Sequence, residues 1–333
     1  MDKKRIKGQF YTKGNPFLYK PFLKWFEDAY LHAKNKTLLE PFAGSNSILL
    51  LMKEATGLDL KWDSYDIDPE SNEKNVTDTP IKIRNVLKRF PKRYSVAITN
   101  PPYLAKNSAT RRGIKAKNVN YDDLYKDALD VMLKNVEYVA AIIPETFINQ
   151  NLFQDRLAAV ISITDKMFTD TYCPVCLALF TPHKSDDFFV YSNDNCLGTY
   201  KQLKKINEYI FKENYEIIFN CPDGELGLQA IDNTKEESIG FKFSEEINNT
   251  EIKKTSRSAT KIKLHKQYNR KEIETIIVIA NDILRERRKT TGDVFLSPFK
   301  GLRKDGKYRR RIDYKQARKI LNMAIDKVDD NFK

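Results

Sequence analysis

The run Thr99-Asn100-Pro101-Pro102-Tyr103 places an amide, two residues without a backbone N–H and a phenol ring directly behind the apolar stretch 94–99. Neither proline can donate to a β-ladder, so a strand over 94–99 must leave its sheet there with carbonyls unpaired. An Asn side-chain oxygen and a proline carbonyl can accept the two N–H bonds of a planar amine, while a Tyr ring stacks on the base carrying it. A proline-rich turn is the plainer reading, and the apolar strand in front favours the amine site. Upstream, Leu39-Glu40-Pro41-Phe42-Ala43-Gly44-Ser45-Asn46-Ser47 ends a shorter apolar strand in an acid and a tight turn, where Gly44 lets the backbone approach a ligand closely. A second acid ends the next strand, in Tyr65-Asp66-Ile67-Asp68-Pro69. An acid about 20 residues beyond a glycine turn is placed to accept hydrogen bonds from a ribose. No Gly-x-x-x-x-Gly-Lys-Ser/Thr string occurs, which disfavours a nucleoside triphosphatase. The three histidines, at 32, 183 and 265, leave little room for His-based triad or metal chemistry.

Positioning these groups takes strands at 37–41, 61–68, 94–99 and 138–143, with helices at 46–56, capped at Ser45 or Asn46 and closed near Gly57, and at 121–135. Such alternation predicts an α/β domain with a mostly parallel sheet covered on both faces, binding its ligand at the carboxyl ends of the strands. Beyond Thr181-Pro182-His183 the segments shorten and polar stretches interrupt them. We therefore expect a catalytic domain over 1–184 and a smaller α+β domain over 185–333. Charge follows the same division. The chain of 333 residues carries 58 Lys+Arg against 45 Asp+Glu, a formal +13; residues 185–249 are net −7, and residues 250–320 net +14. A chain this basic points to a polyanion, most simply nucleic acid, or to a solvated lysine-rich surface.

In the order of these motifs the sequence resembles the S-adenosylmethionine-dependent N6-adenine DNA methyltransferases, over roughly residues 6–182, in the group that places cofactor motifs first, then the catalytic motif, then a target-recognition domain. The resemblance implies a Rossmann-like methyltransferase sheet, S-adenosyl-L-methionine as cofactor, and Asn100, Pro101, Pro102 and Tyr103 as the adenine-specific form of the catalytic motif. Lys7-Gly8-Gln9-Phe10-Tyr11-Thr12 is similar to the family's N-terminal element, implying that Gln9, Tyr11 and Thr12 hold the methionine end of the cofactor. Glu40, Pro41, Ala43 and Gly44 fall in the turn beneath that end, Asp66 at the ribose-binding acid with Asp68 as the second candidate and Ile67 beside it, and Asn85 and Val86 where the cofactor adenine is contacted. Asp122-Asp123-Leu124-Tyr125 and Ile142-Ile143-Pro144-Glu145-Thr146-Phe147 look like the structural motifs that follow. Phe168, ahead of the last strand, stands where an aromatic packs on the flipped base; a plain core Phe is the alternative. Two positions depart from the pattern: Ser45-Asn46 replaces the turn's second glycine, and Asn85 replaces an acid.

For double-stranded DNA the expected contacts are Lys106, Arg111, Arg112, Lys115 and Lys117, behind the catalytic motif, and Arg303, Lys304, Lys307, Arg309, Arg310 and Arg311 in the basic stretch. A monomer on DNA, with a cognate restriction endonuclease acting independently, completes the family-level expectation. Adenine in RNA, cytosine N4, a glutamine amide and a non-catalytic nucleic-acid-binding subunit remain open as alternatives. Cys173-Pro-Val-Cys176 is the one metal-like spacing, and without a second close pair it reads as strand cysteines rather than zinc. Four cysteines, no apolar run near the roughly 20 residues of a membrane span and no apolar stretch behind the charged N-terminus lead to a cytoplasmic expectation, without a membrane.

Overall fold

The computed structural model describes residues 14–105, 120–164, 167, 173–247 and 258–331. The chain forms two compact units, Met1–Tyr200 and Lys201–Lys333.

The first unit is built on a nine-stranded sheet. Its strands are β1 (Leu38–Glu40), β2 (Trp62–Asp66), β3 (Ile81–Ile83), β4 (Val96–Thr99), β5 (Tyr138–Pro144), β6 (Leu157–Ser162), β7 (Val175–Phe180), β8 (Phe189–Ser192) and β9 (Asn195–Thr199), in the order β3-β2-β1-β4-β5-β7-β6-β8-β9. The first five listed run parallel, and β7 lies antiparallel between β5 and β6. This is a mixed α/β, Rossmann-like sheet, with its topological switch point between β1 and β4, where ligands of open α/β sheets bind. Leu38, Leu39, Val96 and Ile98 are fully buried, as a strand covered on both faces requires. Helix α1 (Lys20–His32) lays Phe22, Trp25, Phe26 and Ala29 on one face, packing with Leu38, Ile98, Ala140 and Leu179, and the Trp25 indole N–H donates to the Phe180 carbonyl at 3.2 Å.

Helix α2 (Ser47–Thr56) has Asn46 at its N-cap and Gly57, in the left-handed region at φ 67°, at its C-cap. Both were expected from the sequence, as were the strands at 38–40, 62–66, 96–99 and 138–144. Helix α3 (Leu124–Asn135) buries Ala128, Leu129 and Met132. The boundary expected at 184 lies inside the first unit: β8 pairs in parallel with β6 and β9 closes on β8, so the sheet continues to residue 199.

After α4 (Tyr200–Ile206), the second unit has a four-stranded antiparallel sheet of β10 (Ile218–Phe219), β11 (Leu226–Gln229), β12 (Gly240–Phe243) and β13 (Ala259–Lys263) in the order β10-β13-β11-β12. Long helices α5 (Arg270–Thr291) and α6 (Tyr314–Asn331) bury Ile276, Ala280, Leu284, Ile320, Leu321 and Ile325 against it. A hairpin, β14 (Ser297–Leu302) with β15 (Tyr308–Arg311), lies between the helices in sequence.

A buried ion-pair knot ties this unit together. Asp232, fully buried, accepts both arms of the Arg288 guanidinium at 2.9 Å, the backbone N–H groups of Ser238, Ile239 and Arg310, and Arg303 at 3.5 Å. Burial alone would raise the Asp232 carboxyl, but the Arg288 fork outweighs it and holds the group below the ordinary range. Breaking one side of a buried pair strands the other charge. Asp232→Ala is therefore expected to destabilise the second unit by about 3–5 kcal/mol in denaturant unfolding followed by a probe in that unit, and a loss below about 1 kcal/mol contradicts this account.

Candidate active site

At the carboxyl edge of the sheet, β1 and β4 end side by side. Glu40 is the last residue of β1 and Thr99 the last of β4; both are fully buried, and the Thr99 hydroxyl donates to Glu40 Oε1 at 2.5 Å. The Phe42 N–H donates to the same oxygen at 3.0 Å, whereas Oε2 is buried without a hydrogen-bond partner among the described residues. Desolvation is the main reason that the Glu40 carboxyl is pushed up to about 8, with the neighbouring Asp66 charge adding to it and the bonds from Thr99 and Phe42 opposing it.

Asp66, at the end of β2, is turned into the fold: Oδ2 accepts the Gly44 N–H and Oδ1 the Asp68 N–H, both at 2.8 Å. These two bonds join the turn after β1 to the turn after β2. Gly44 has φ +55°, and an added Cβ there would meet nothing within 4 Å, so backbone and open space coincide at this point. Ile67, next to Asp66, is an exposed apolar side chain. Beyond β3, Asn85 caps a turn by accepting the Lys88 N–H at 3.3 Å, and Val86 is buried. An acid with an unpartnered buried oxygen, a glycine turn with space before it and an exposed apolar side chain at adjacent strand ends fit a nucleoside carrying a cationic tail.

Asn100 follows Thr99 immediately. Pro101 is buried, while Asn100, Pro102 and Tyr103 are half-buried. The Tyr103 hydroxyl lies 2.5 Å from Asn100 Oδ1 and 2.6 Å from the Ile142 carbonyl of β5. A hydroxyl has one proton for these two acceptors. Reversing the Asn100 amide lets Nδ2 donate to the hydroxyl and the hydroxyl donate to Ile142, which leaves Oδ1 directed away from Tyr103. Either way the phenol is pinned to β5 and the amide to the phenol. Burial of its hydroxyl keeps the Tyr103 phenol well above its ordinary range, so it stays protonated. Its ring meets Tyr125 edge-on, with centroids 6.3 Å apart at 88°. Behind the motif, Asp123 Oδ1 accepts the Leu104 N–H at 2.9 Å and Ala105 bridges to Asp123, hooking the end of the Asn100–Tyr103 segment onto the start of α3.

The structure thus brings together Glu40, Pro41, Ala43, Gly44, Asp66, Ile67 and Asn100 to Tyr103 at one sheet edge. Gln9, Tyr11, Thr12, Phe168, Lys106, Arg111, Arg112, Lys115 and Lys117 lie outside the described residues. Thr99 is the member that sequence reasoning missed; its place one residue ahead of Asn100 was visible, but its neighbour across the sheet was not. Cys176 is buried on β7 and Cys173 stands two residues before that strand.

The basic stretch needs a correction. Arg303 and Arg310, expected to meet phosphate, are 5% and 6% exposed. Arg303 pairs with Asp305 at 2.7 Å and with Asp232 and Glu237, and Arg310 gives its backbone N–H to Asp232. The buried Asp232, with the exposed Asp305 and Glu237 at the rim, holds these residues inside the unit. Lys304 and Lys307 are exposed at the tip of the β14–β15 hairpin; Arg309 and Arg311 are half-buried, with Arg309 donating to the Asp232 carbonyl and lying 5.0 Å from the Phe299 ring centre.

The sequence matches no protein-family model and no curated protein. Among solved structures, the methyltransferase subunit of a type I restriction-modification system from Streptococcus thermophilus is similar at 16% identity and a TM-score of 0.39, over 59% of this chain and 52% of that one. The M protein of the type I restriction enzyme EcoKI gives 15% and 0.38, over 55% and 48%. An rRNA methylase from Streptococcus thermophilus gives 14% and 0.32, over 49% and 97%. This chain therefore spans about half the length of the two type I proteins it matches. These are likenesses of fold.

Glu40 makes a prediction of its own. A carboxyl raised on folding favours the folded state below the ordinary carboxyl range and loses that contribution as pH climbs through about 8. Glu40→Gln, neutral throughout, is expected to melt near the parent at pH 5 and about 5 °C or more above it at pH 9; a constant difference between the two proteins across that range contradicts the assignment.

Proposed function

We propose that this chain is a site-specific DNA methyltransferase that transfers a methyl group from S-adenosyl-L-methionine to the N6 amine of an adenine turned out of duplex DNA. The observation that carries this reading is the Thr99–Glu40 hydrogen bond, which sets the Asn100-Pro101-Pro102-Tyr103 segment against the turn suited to the cofactor. Glu40, Gly44, Asp66 and Ile67 hold the cofactor in this reading, with Asn85 and Val86 at its adenine. When bound, it supplies an electrophilic methyl on a sulfonium.

A base stacked in a duplex cannot reach such a site, and extruding it costs a few kcal/mol. The Tyr103 ring, locked by its hydroxyl, offers a fixed surface on which the extruded base stacks, which offsets part of that cost. Asn100 Oδ1 and the Pro101 carbonyl each accept one N–H of the adenine amine. Those two bonds draw the nitrogen lone pair out of conjugation and aim it along the line of transfer, so that most of the rate comes from orientation. The surplus amine proton passes to solvent. No histidine is needed at any step. In this reading duplex DNA is bound by the basic residues Lys304, Lys307, Arg309 and Arg311 of the second unit and by Lys106, Arg111, Arg112, Lys115 and Lys117 of the first. Their contacts with phosphate weaken steeply as salt rises.

Transfer of labelled methyl to duplex DNA, RNA and protein in parallel tests the substrate class, and incorporation confined to RNA or protein overturns it. Asn100→Ala is expected to lower methyl transfer by about a thousandfold or more while the cofactor affinity changes less than about threefold; a fully active variant refutes its role. Tyr103→Phe keeps the ring and removes the pin, so transfer is expected to fall about ten- to a hundredfold through kcat, with KM for DNA nearly unchanged. If Tyr103→Phe matches the parent, the hydroxyl has no positioning role.

A further inference from the structure

Glu40 is a buried acid whose two oxygens are treated differently by the fold. Oε1 accepts two donors, the Thr99 hydroxyl at 2.5 Å and the Phe42 N–H at 3.0 Å, which is the bonding of a carbonyl-type oxygen. Oε2 is buried and meets no donor among the described residues. An ionised carboxylate with one oxygen in that situation carries a desolvation cost that nothing nearby relieves. The neighbours add to the problem. From β2 the charged group acting on Glu40 is the Asp66 carboxylate; β4 supplies the uncharged Thr99 hydroxyl and the following turn the Phe42 amide, so no cation among the described residues offsets the charge.

We propose that Glu40 is an un-ionised carboxylic acid, protonated on Oε2, in the empty protein, and that it becomes the anionic counter-ion of a cationic ligand, its proton leaving for solvent as the ligand binds. This rests on the cofactor reading above, since S-adenosyl-L-methionine carries positive charge on its sulfonium and its amino group. The step is balanced: the O–H bond of Glu40 breaks, the electron pair stays on Oε2, and buffer takes the proton. The carboxyl is thereby a specificity device. It favours a charged occupant over a neutral nucleoside of similar shape, and it spares the empty protein a buried pair of like charges at Glu40 and Asp66.

Proton release is read directly by titration calorimetry of the full chain at pH 6.5 in two buffers of different ionisation enthalpy. The ligand's own amino group is still protonated at that pH, so a released proton belongs to the protein. S-adenosyl-L-methionine is expected to displace close to one proton from the parent protein, adenosine none, and S-adenosyl-L-methionine none from Glu40→Gln. The affinity of the parent for S-adenosyl-L-methionine is further expected to rise about tenfold per pH unit between pH 6 and 7, a measurement that needs no variant. Tight binding with no proton released, or an affinity flat over that interval, overturns the proposal and leaves the methyltransferase reading standing. Failure of the parent to bind S-adenosyl-L-methionine at all overturns both.

Discussion

One hydrogen bond at the switch point of the sheet constrains the rest: the Thr99 hydroxyl on Glu40 Oε1, both groups fully buried. It joins the last residues of two parallel strands whose continuations must diverge, because Pro41 follows one and Pro101-Pro102 follows the other. Proline cannot extend either ladder, so both chains turn out at the same level, and the bond fixes their ends relative to each other. Whatever occupies the glycine turn then lies against the Asn100–Tyr103 segment. A buried acid is a costly way to join two strands when a pair of aliphatic side chains would do it without desolvation. Its presence at the one edge where such sheets bind ligands is more economically explained by the ligand than by the fold.

The Asn100–Tyr103 segment shows a second kind of constraint. In the proposed reading, direct transfer without an acid or base depends on holding an amine in one orientation, and that demands rigidity of the groups that hold it. Asn100 is tied to the Tyr103 hydroxyl, the hydroxyl to the Ile142 carbonyl of the next strand, and the segment's far end to Asp123 at the start of α3. Two neighbours distant in sequence, Ile142 and Asp123, together with the bond inside the segment, therefore position a four-residue motif that proline has already stiffened. A protonated phenol is required for this chain, and burial provides it.

These particulars explain what was readable in the sequence. The end of α2 was legible because Gly57 acts locally, through left-handed backbone and a bond from its N–H to the Lys53 carbonyl, whereas the Asn46 side chain caps no helical N–H and donates instead to Asn75, Thr77 and Thr79. The placement of Asn100 at a strand end was legible because two prolines stop a ladder wherever they stand. Strand β3 was not read, since Ile81-Lys82-Ile83 is too short for its alternation to be distinguished from a loop. Helix α1 was not read either, although its aromatic residues recur at helical spacing. The unit boundary was placed too early because β8 and β9 hold their place by pairing with β6, a relation no local pattern expresses. The partner of Glu40 was hidden for the same reason: it lies 59 positions away along the chain.

The charge count failed in a different and more instructive way. Composition sums every arginine equally, but a guanidinium facing a buried carboxylate is neutralised within the fold and projects little field into solvent. Arg288 and Arg303 surround Asp232, and Arg310 is buried beside it. What they provide is a stiff base for the β14–β15 hairpin, where Arg303 also grips Asp305 across the tip and Gly306 closes the turn at φ +82°. The charges that remain outward, on Lys300, Lys304 and Lys307, are then carried by a ribbon with little freedom of its own. The net +14 of residues 250–320 overstates the charge offered to a polyanion, while the buried part of that charge determines where the rest is held.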